Sequence, residues 1–233
     1  KPTTASGAYE RTSVAPAPRA WWAQTRTELT LTLRNGESVL LTFLIPVLLL
    51  VFFSLVDVLP TGVDDPVTFL FPGVLALAVM STSMVAVAIA TGFERQLGVL
   101  KRLRATPLPR GQLLGDKTTA MAAIEAAQVL VLTLVALALG FRFTGAQVLP
   151  AVAGAALASV AFAGLGLLLA GTLRALTTLA AANGLYLVLL LLSGMVIPLD
   201  ELPDPVATVA RLLPSGALAE GIHGALGAGD VPG

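Results

Sequence analysis

Five long apolar runs dominate the hydrophobic pattern of the chain, and a helix that crosses a bilayer needs about 20 mostly apolar residues. Four of the runs contain no charged residue: Ser38–Val56, Pro66–Phe93, Phe143–Leu173 and Ala175–Leu199. The fifth, Thr118–Gly140, contains Glu125. The transfer free energy of its nine Val, Leu and Ile residues, about 4 kcal/mol, still exceeds the cost of roughly 3 kcal/mol for one carboxylate. The pattern predicts an all-α integral membrane protein with five transmembrane helices.

The segment after the last of these runs has a different pattern. Leu212–Gly229 contains Pro214, Glu220, His223 and five Gly, so it cannot cross a bilayer as one helix. The apolar residues around its start have the spacing of a short amphipathic helix: Leu202, Val206, Val209 and Leu213. We therefore expect residues 200–233 to form short extracytoplasmic or re-entrant helices that pack on the protein.

The composition excludes a soluble globular domain. Charged residues make up 12% of the 233 residues, hydrophobic residues make up 56%, and the mean hydropathy is +0.87. An average soluble domain is about 25% charged. Because 14 basic residues balance 14 acidic ones, the net charge gives no basis for binding nucleic acid. One His and no Cys argue against a metal site and exclude thiol chemistry.

The basic residues predict how the chain is oriented in the membrane. Twelve Lys and Arg fall on the side of the runs that includes the N-terminus, and only Arg142 and Arg211 fall on the other side. Lys and Arg accumulate in cytoplasmic loops, so we expect a cytoplasmic N-terminus, with Lys101 inside and Asp64 outside. Arg outnumbers Lys by 11 to 3, a bias typical of GC-rich bacteria. The expected location is a bacterial inner membrane.

The N-terminal region has two parts. Residues 1–18 are rich in Pro, Ala, Ser and Thr, a composition that predicts a disordered leader. Residues 19–37 include Trp21 and Trp22, the only tryptophans of the chain, and Trp favours the headgroup layer of a membrane. We interpret 19–37 as a helix that lies along the cytoplasmic interface, anchored by these two side chains. A solvated leader helix is the alternative.

A basic loop at residues 94–117 interrupts the transmembrane region, residues 38–199. Its first part, Glu94–Ala105, is predicted to be a short helix that ends before Pro107. One face of this helix has three leucines: Leu97, Leu100 and Leu103. Basic residues surround them: Lys101, Arg102 and Arg104. Such a helix can dock into a groove of a soluble partner or lie on anionic lipid, and the residues alone favour neither.

Sequence motifs for catalysis or phosphate binding are weak in this chain. Gly111–Thr118 lacks the Gly-Lys pair of a phosphate-binding loop. Ser215 and His223 could form the pair of an intramembrane serine hydrolase. However, Ser215 follows Pro214 without the Gly-x-Ser-x-Gly elbow. We interpret Ser215 as a helix N-cap and His223 as a surface or helix-packing residue, and keep the hydrolase as an alternative function.

Three polar residues inside the apolar runs are candidates for a translocation path or for contacts between helices. Glu125 and Gln128 lie one turn apart in Thr118–Gly140, and Asn183 lies in Ala175–Leu199. An intramembrane carboxylate marks a functional site by default, but we favour a structural role for Glu125, bonded to Gln128, Asn183 or a basic residue. Small residues in Phe143–Leu173 predict close helix packing: Gly154, Ala158, Gly164, Gly166, Ala170 and Gly171.

Three short stretches stand in a characteristic order: Phe69–Gly73, Glu94–Arg110 and Ser193–Pro203, followed by Leu213-Pro214. Together they resemble the ABC-transporter type 2 permease family, in particular its drug-exporter, daunorubicin-resistance-like branch. The resemblance extends over about residues 20–225. Such permeases have six spans and both termini in the cytoplasm. Because residue 1 is Lys, we expect the sixth span to be absent from this chain rather than from the natural protein.

The resemblance implies the membrane subunit of an ATP-driven exporter for amphiphilic drugs or lipids, of the efflux and multidrug-resistance type. This chain would be neither an enzyme nor the site of a cofactor, because ATP and Mg²⁺ would bind a separate ATPase subunit. Two permease copies, expected to be identical, would pair with two ATPase copies in the lipid bilayer.

The resemblance also assigns roles to parts of the chain. The helix at 19–37 would be a connecting helix, and the basic loop would contain the coupling helix that contacts the ATPase. Its contact residues would be Glu94, Leu97, Gly98, Leu100, Lys101, Leu103 and Arg104. Gly98 would let this helix approach another surface closely. A membrane adaptor that binds a partner without transport is a further alternative.

Overall fold

All regular structure in the described part of the chain is helical. The computed structural model describes residues 26–27, 30, 34, 36–56, 66–98, 110–142, 145–193 and 204–226. Eight α-helices have defined bounds in this part: α1 (Gly36–Leu55), α2 (Pro66–Met80), α3 (Val87–Gln96), α4 (Arg110–Ala138), α5 (Gly145–Thr172), α6 (Ala175–Leu191), α7 (Asp204–Leu212) and α8 (Pro214–Ala225). Residues 26–27, 30 and 34 are helical as well. A π-helical segment, Ser81–Ala86, joins α2 to α3.

The predicted all-α membrane fold is confirmed. Three helical stretches are long and apolar enough to cross a membrane: Pro66–Gln96, Thr119–Ala138 and Gln147–Thr172. Two shorter apolar helices, Thr42–Leu55 and Ala175–Leu191, lie at the first and fifth predicted positions. We number these five stretches as spans one to five in chain order, so α2, the π segment and α3 together form span two.

Span two is the centre of the bundle. Its apolar stretch is 78% buried, against 28% for span three and 11% for span four. A helix that is apolar on all sides is expected in a core, and α2 buries nearly every residue from Val67 to Met80. Helices α1 and α4 pack on α2, while α5 and α6 pack on the π segment and α3.

Span four crosses the π segment at very short range. A Cβ atom on Gly166 would lie 2.5 Å from the backbone oxygen of Met84, closer than real Cβ atoms approach other atoms. A residue with any side chain cannot occupy this position without moving one backbone. Gly164 also belongs to the predicted set of small residues, but no packing neighbour lies within 4 Å of the place that its Cβ would take. Close packing of span four therefore depends on Gly166 in particular.

Residues 204–226, the described part of the chain after span five, form two short helices rather than one long one. Helix α7 ends at Leu212, and Pro214 begins α8, as the Pro content of this region predicted. Helix α8 packs against α2 and α5, and buries Leu218, Ala219 and Ile222. The predicted N-cap role of Ser215 is wrong: the N-cap residue is Leu213, and Ser215 is buried within the first turn of α8.

The bundle has two ends that differ in chemistry. We name the end where α3 finishes the Arg95 end; it also includes the α5–α6 turn, because Arg95 contacts that turn. We name the opposite end the His223 end, because His223 of α8 contacts the start of α2 there. Phe141, just after span three, packs on Phe71 at this second end, with ring centroids 4.9 Å apart.

Candidate functional site

Arg95 clamps span two to the end of span four. Its guanidinium donates hydrogen bonds to the backbone oxygens of Ala170 (2.8 Å), Gly171 and Leu173 (3.1 Å). The last carbonyls of a helix have no partner within that helix, and they form the negative end of its dipole, which a cation stabilises. One side chain therefore ties the last turn of span two to the C-terminus of α5.

The predicted helix over Glu94–Ala105 is wrong at its beginning. Glu94 lies in the last turn of α3, which ends at Gln96, and a turn follows at Leu97 and Gly98. Gly98 has a φ of +71°, the left-handed conformation that commonly follows a helix C-terminus. Within the described part of the chain, no atom lies within 4 Å of where its Cβ would be. In this structure Gly98 makes the turn that ends span two, and does not pack in a helix.

The proposed coupling surface is described only in part. Leu97 is 70% exposed at the Arg95 end, the position expected of a side chain that contacts another subunit. The other predicted contact residues lie outside the described residues: Leu100, Lys101, Leu103 and Arg104. The same holds for the interfacial anchors Trp21 and Trp22, and for residues 1–18.

A groove of about 790 Å³ lies between α4 and α5. Phe71 and Leu75 of α2 form part of its floor, and most of its lining side chains are apolar. The polar exceptions include Glu125 on α4 and Ser159 on α5, which face each other across it. Ser159 donates a hydrogen bond to the Glu125 carboxylate and also contacts the backbone oxygen of Ala155, at 2.8 Å.

Gln128 joins three spans in the interior of the bundle. Its side-chain oxygen accepts a hydrogen bond from the Thr82 hydroxyl (2.7 Å), and its side-chain nitrogen donates one to the backbone oxygen of Thr42 (2.7 Å). Gln128 is 2% exposed, so these bonds satisfy an amide that lipid and water do not reach. The predicted role of Gln128 in contacts between helices agrees with this geometry.

The three predicted intramembrane polar residues do not form one cluster. Glu125 bonds to Ser159 rather than to Gln128 or Asn183. Asn183 is exposed on α6, and its side chain donates to the backbone oxygen of Leu179 in its own helix. Nothing in the linear sequence marks Ser159 as the partner of Glu125. The two residues are 34 positions apart, and Ser159 resembles any serine of an apolar helix.

The Ser215 and His223 pair of a hydrolase is not formed. The Ser215 hydroxyl is buried and has no hydrogen-bond partner among the described residues, whereas a serine nucleophile needs a bond to its base. His223 instead contacts the backbone oxygen of Phe69 at 3.1 Å and stacks on its ring, with centroids 4.9 Å apart. Burial lowers the pKa of His223, and the bond to Phe69 partly opposes this effect. His223 is thus a helix-packing residue, one of its two predicted roles.

The model of the ABC-2 type transporter family matches residues 19–226. The chain belongs to this family. It is a membrane component of a transporter, as the three sequence stretches predicted. The chain matches no curated protein sequence.

Proposed function

We propose that this ABC-2 family member is the permease subunit of an ATP-driven exporter, in which two copies pair with two ATPase subunits. The ATPase subunits bind ATP and Mg²⁺, and the complex moves amphiphilic drugs or lipids outward across a bacterial inner membrane. The N-terminus and the Arg95 end are cytoplasmic. Family membership supports the transport function, and the split of basic residues, twelve against two, supports the orientation.

The Arg95 clamp is the observation that carries this proposal. Span two is one continuous helical stretch of 31 residues, about 46 Å at 1.5 Å per residue. It leads directly into the basic loop at its Arg95 end. A force applied to that loop reaches the far side of the membrane because the stretch is continuous. The same force reaches the end of span four and the turn into span five because Arg95 bonds to Ala170, Gly171 and Leu173.

The exposure of Leu97 supports a partner at the Arg95 end. This side chain lies just beyond the end of α3, where neither the bundle nor the apolar part of span two covers it. Burying a leucine against a partner stabilises a complex by roughly 1.5–3 kcal/mol. The basic side chains of the loop would then steer association more than they hold the complex.

Association is tested by purifying the permease with its ATPase in detergent. Leu97→Asp places a charge in the proposed contact, and we expect it to abolish co-purification of the ATPase. Leu212→Asp is the matched control, because Leu212 is also exposed but lies on α7 at the other end of the bundle. Retention of the ATPase by Leu97→Asp would place the contact elsewhere. Failure of any ATPase to co-purify with the wild type would reject the exporter.

The clamp is tested by labelling a cysteine at position 212 in the reconstituted complex, since the chain has no native Cys. ATP should change the labelling rate several-fold in the otherwise unmodified complex. Arg95→Ala should remove this ATP dependence while the ATPase still co-purifies. Arg174→Ala, which removes another exposed arginine beside the α5–α6 turn, should preserve it. An ATP effect that survives Arg95→Ala would show that the clamp does not transmit the motion.

The same labelling separates the exporter from the non-transporting adaptor. An adaptor would bind the ATPase through the Arg95 end but show no ATP-dependent change at position 212. The exporter requires both association and the change at the far end.

A further inference from the structure

The groove between α4 and α5 has the dimensions of a small-molecule site. Its volume of about 790 Å³ lies within the usual range of ligand pockets, about 300–1,000 Å³. Small side chains on its two walls keep it open, among them Ala122, Ala126, Ala156 and Ala163. It runs along α4 from Met121 to Leu137, which is about 24 Å at 1.5 Å per residue.

The groove contains a carboxylate at membrane depth. Glu125 lies six residues into the apolar stretch that starts at Thr119, or about 9 Å inside its end. A charged group at such a depth is costly unless it is paired. In the part of the chain that the structure describes, no cationic side chain pairs with Glu125, and its hydrogen-bond partner is Ser159.

Ser159 cannot satisfy this carboxylate fully. A serine hydroxyl has one proton to donate, and the Ser159 oxygen lies within bonding distance of two acceptors, the Glu125 carboxylate and the Ala155 backbone oxygen. An ionised carboxylate can accept about four hydrogen bonds. Glu125 therefore presents unused acceptor capacity to the groove, near the Arg95 end of an otherwise apolar surface.

We propose that this groove binds an amphiphile with a protonated amine, which donates to Glu125 while its apolar body lies along α4 and α5 over Phe71 and Leu75. The charge of Glu125 selects a cation over a neutral lipid tail of similar length. Ser159 positions the carboxylate toward the groove. Because the apolar stretches of α4 and α5 are only 28% and 11% buried, a ligand in the groove between them would enter from the bilayer.

Binding in this groove requires no ATPase, so it is independent of the exporter mechanism. Only the further step, that the bound amphiphile is what the transporter moves, rests on the proposed function. If the wild-type chain binds the amphiphile but no ATPase co-purifies, the exporter fails and the groove site stands. If the ATPase associates and no amphiphile binds, the reverse holds.

The test uses the purified full chain in lipid nanodiscs and two fluorescent probes with the same dansyl-labelled dodecyl body. One probe ends in a primary amine and the other in a hydroxyl. Glu125→Gln should weaken binding of the amine about tenfold, which is about 1.4 kcal/mol, and change binding of the alcohol less than twofold. Glu220→Gln is the matched control: it neutralises an exposed carboxylate on α8, which does not line the groove, and should leave both affinities unchanged.

A second variant tests the location. Ala156→Trp fills the groove without touching the charge, and should weaken binding of both probes several-fold. The proposal is overturned if Glu125→Gln affects both probes equally, or if neither variant weakens binding of the amine. It is also overturned if Ala156→Trp leaves binding intact and instead dissociates a permease dimer, because a second copy would then cover the groove. Elution of each variant at the wild-type position in size-exclusion chromatography shows that it has folded.

Discussion

Spans two and four have the same mean hydropathy, yet the apolar stretch of span two is 78% buried and that of span four is 11% buried. Hydropathy measures how strongly a segment avoids water, and lipid satisfies that preference as well as a protein interior does. What separates the two spans is which helices surround them: α1, α4 and α8 pack on α2, and α5 and α6 pack on the π segment and α3. Thr82 of span two bonds to a neighbouring span, and the Met84 backbone lies against Gly166.

The comparison shows that the interior of this bundle is specified at a few contacts and not by overall apolarity. Inside a membrane, helices associate through close van der Waals packing and hydrogen bonds between them. Two residues that contact span two have a chemically similar counterpart without that contact: Gly164 for Gly166, and the exposed Asn183 for Gln128. Substituting both members of such a pair tests whether the stability of the fold depends on the inner position or on the residue type.

The largest difference is expected between Gly166→Ala and Gly164→Ala. The first places a methyl group against the Met84 backbone oxygen, so we expect a loss of about 1–3 kcal/mol and a melting temperature several degrees lower. The second meets open space, and Ala favours a helix by about 1 kcal/mol over Gly. Thermal denaturation in detergent, followed by size-exclusion chromatography, measures both. Equal losses would show that the close crossing is not specific to position 166.

Much of this fold follows from the sequence because lipid imposes simple rules. Long apolar runs, four of them uncharged, predicted the five apolar helices, and Pro214 predicted the break between α7 and α8. Gly166 was among six small residues predicted to permit packing, and the pattern could not single it out. Which glycine faces a neighbouring backbone depends on how two helices cross, and this is not encoded in local spacing.

The candidate sites were predictable only in part. Glu125 and Gln128 were found because polar groups inside an apolar run are costly, but their partners Ser159, Thr82 and Thr42 lie on other spans. Leucine spacing extended a helix through Gly98, where a positive φ ends it instead. The linear pattern gave no indication that Arg95 caps α5, because the backbone oxygens that it contacts lie on another span.

A smaller difference is expected between Gln128→Leu and Asn183→Leu. Leucine at 128 removes both hydrogen bonds of the amide, so the Thr82 hydroxyl and the Thr42 backbone oxygen each lose this partner. Hydrogen bonds between membrane helices are worth about 0.6 kcal/mol on average, so we expect a loss of about 1–2 kcal/mol. The exposed side chain of Asn183 bonds to the backbone oxygen of Leu179 in its own helix, so its replacement should leave the melting temperature unchanged. Comparable effects of the two variants would contradict the interior role of Gln128.

The smallest effect is expected from a change of pH. It tests whether His223 is buried as the interior of the bundle is. Burial lowers the pKa of His223 below its ordinary value of 6.5, so the folded protein favours the neutral ring. The unfolded chain then binds a proton more readily than the folded one. The stabilisation is complete above about pH 6.5 and is lost as the pH falls toward the lowered pKa. His223 is the only histidine of the chain, so His223→Gln should remove the decline in melting temperature between about pH 6.5 and 5. A decline that persists in this variant would assign the pH dependence to carboxylates elsewhere on the molecule.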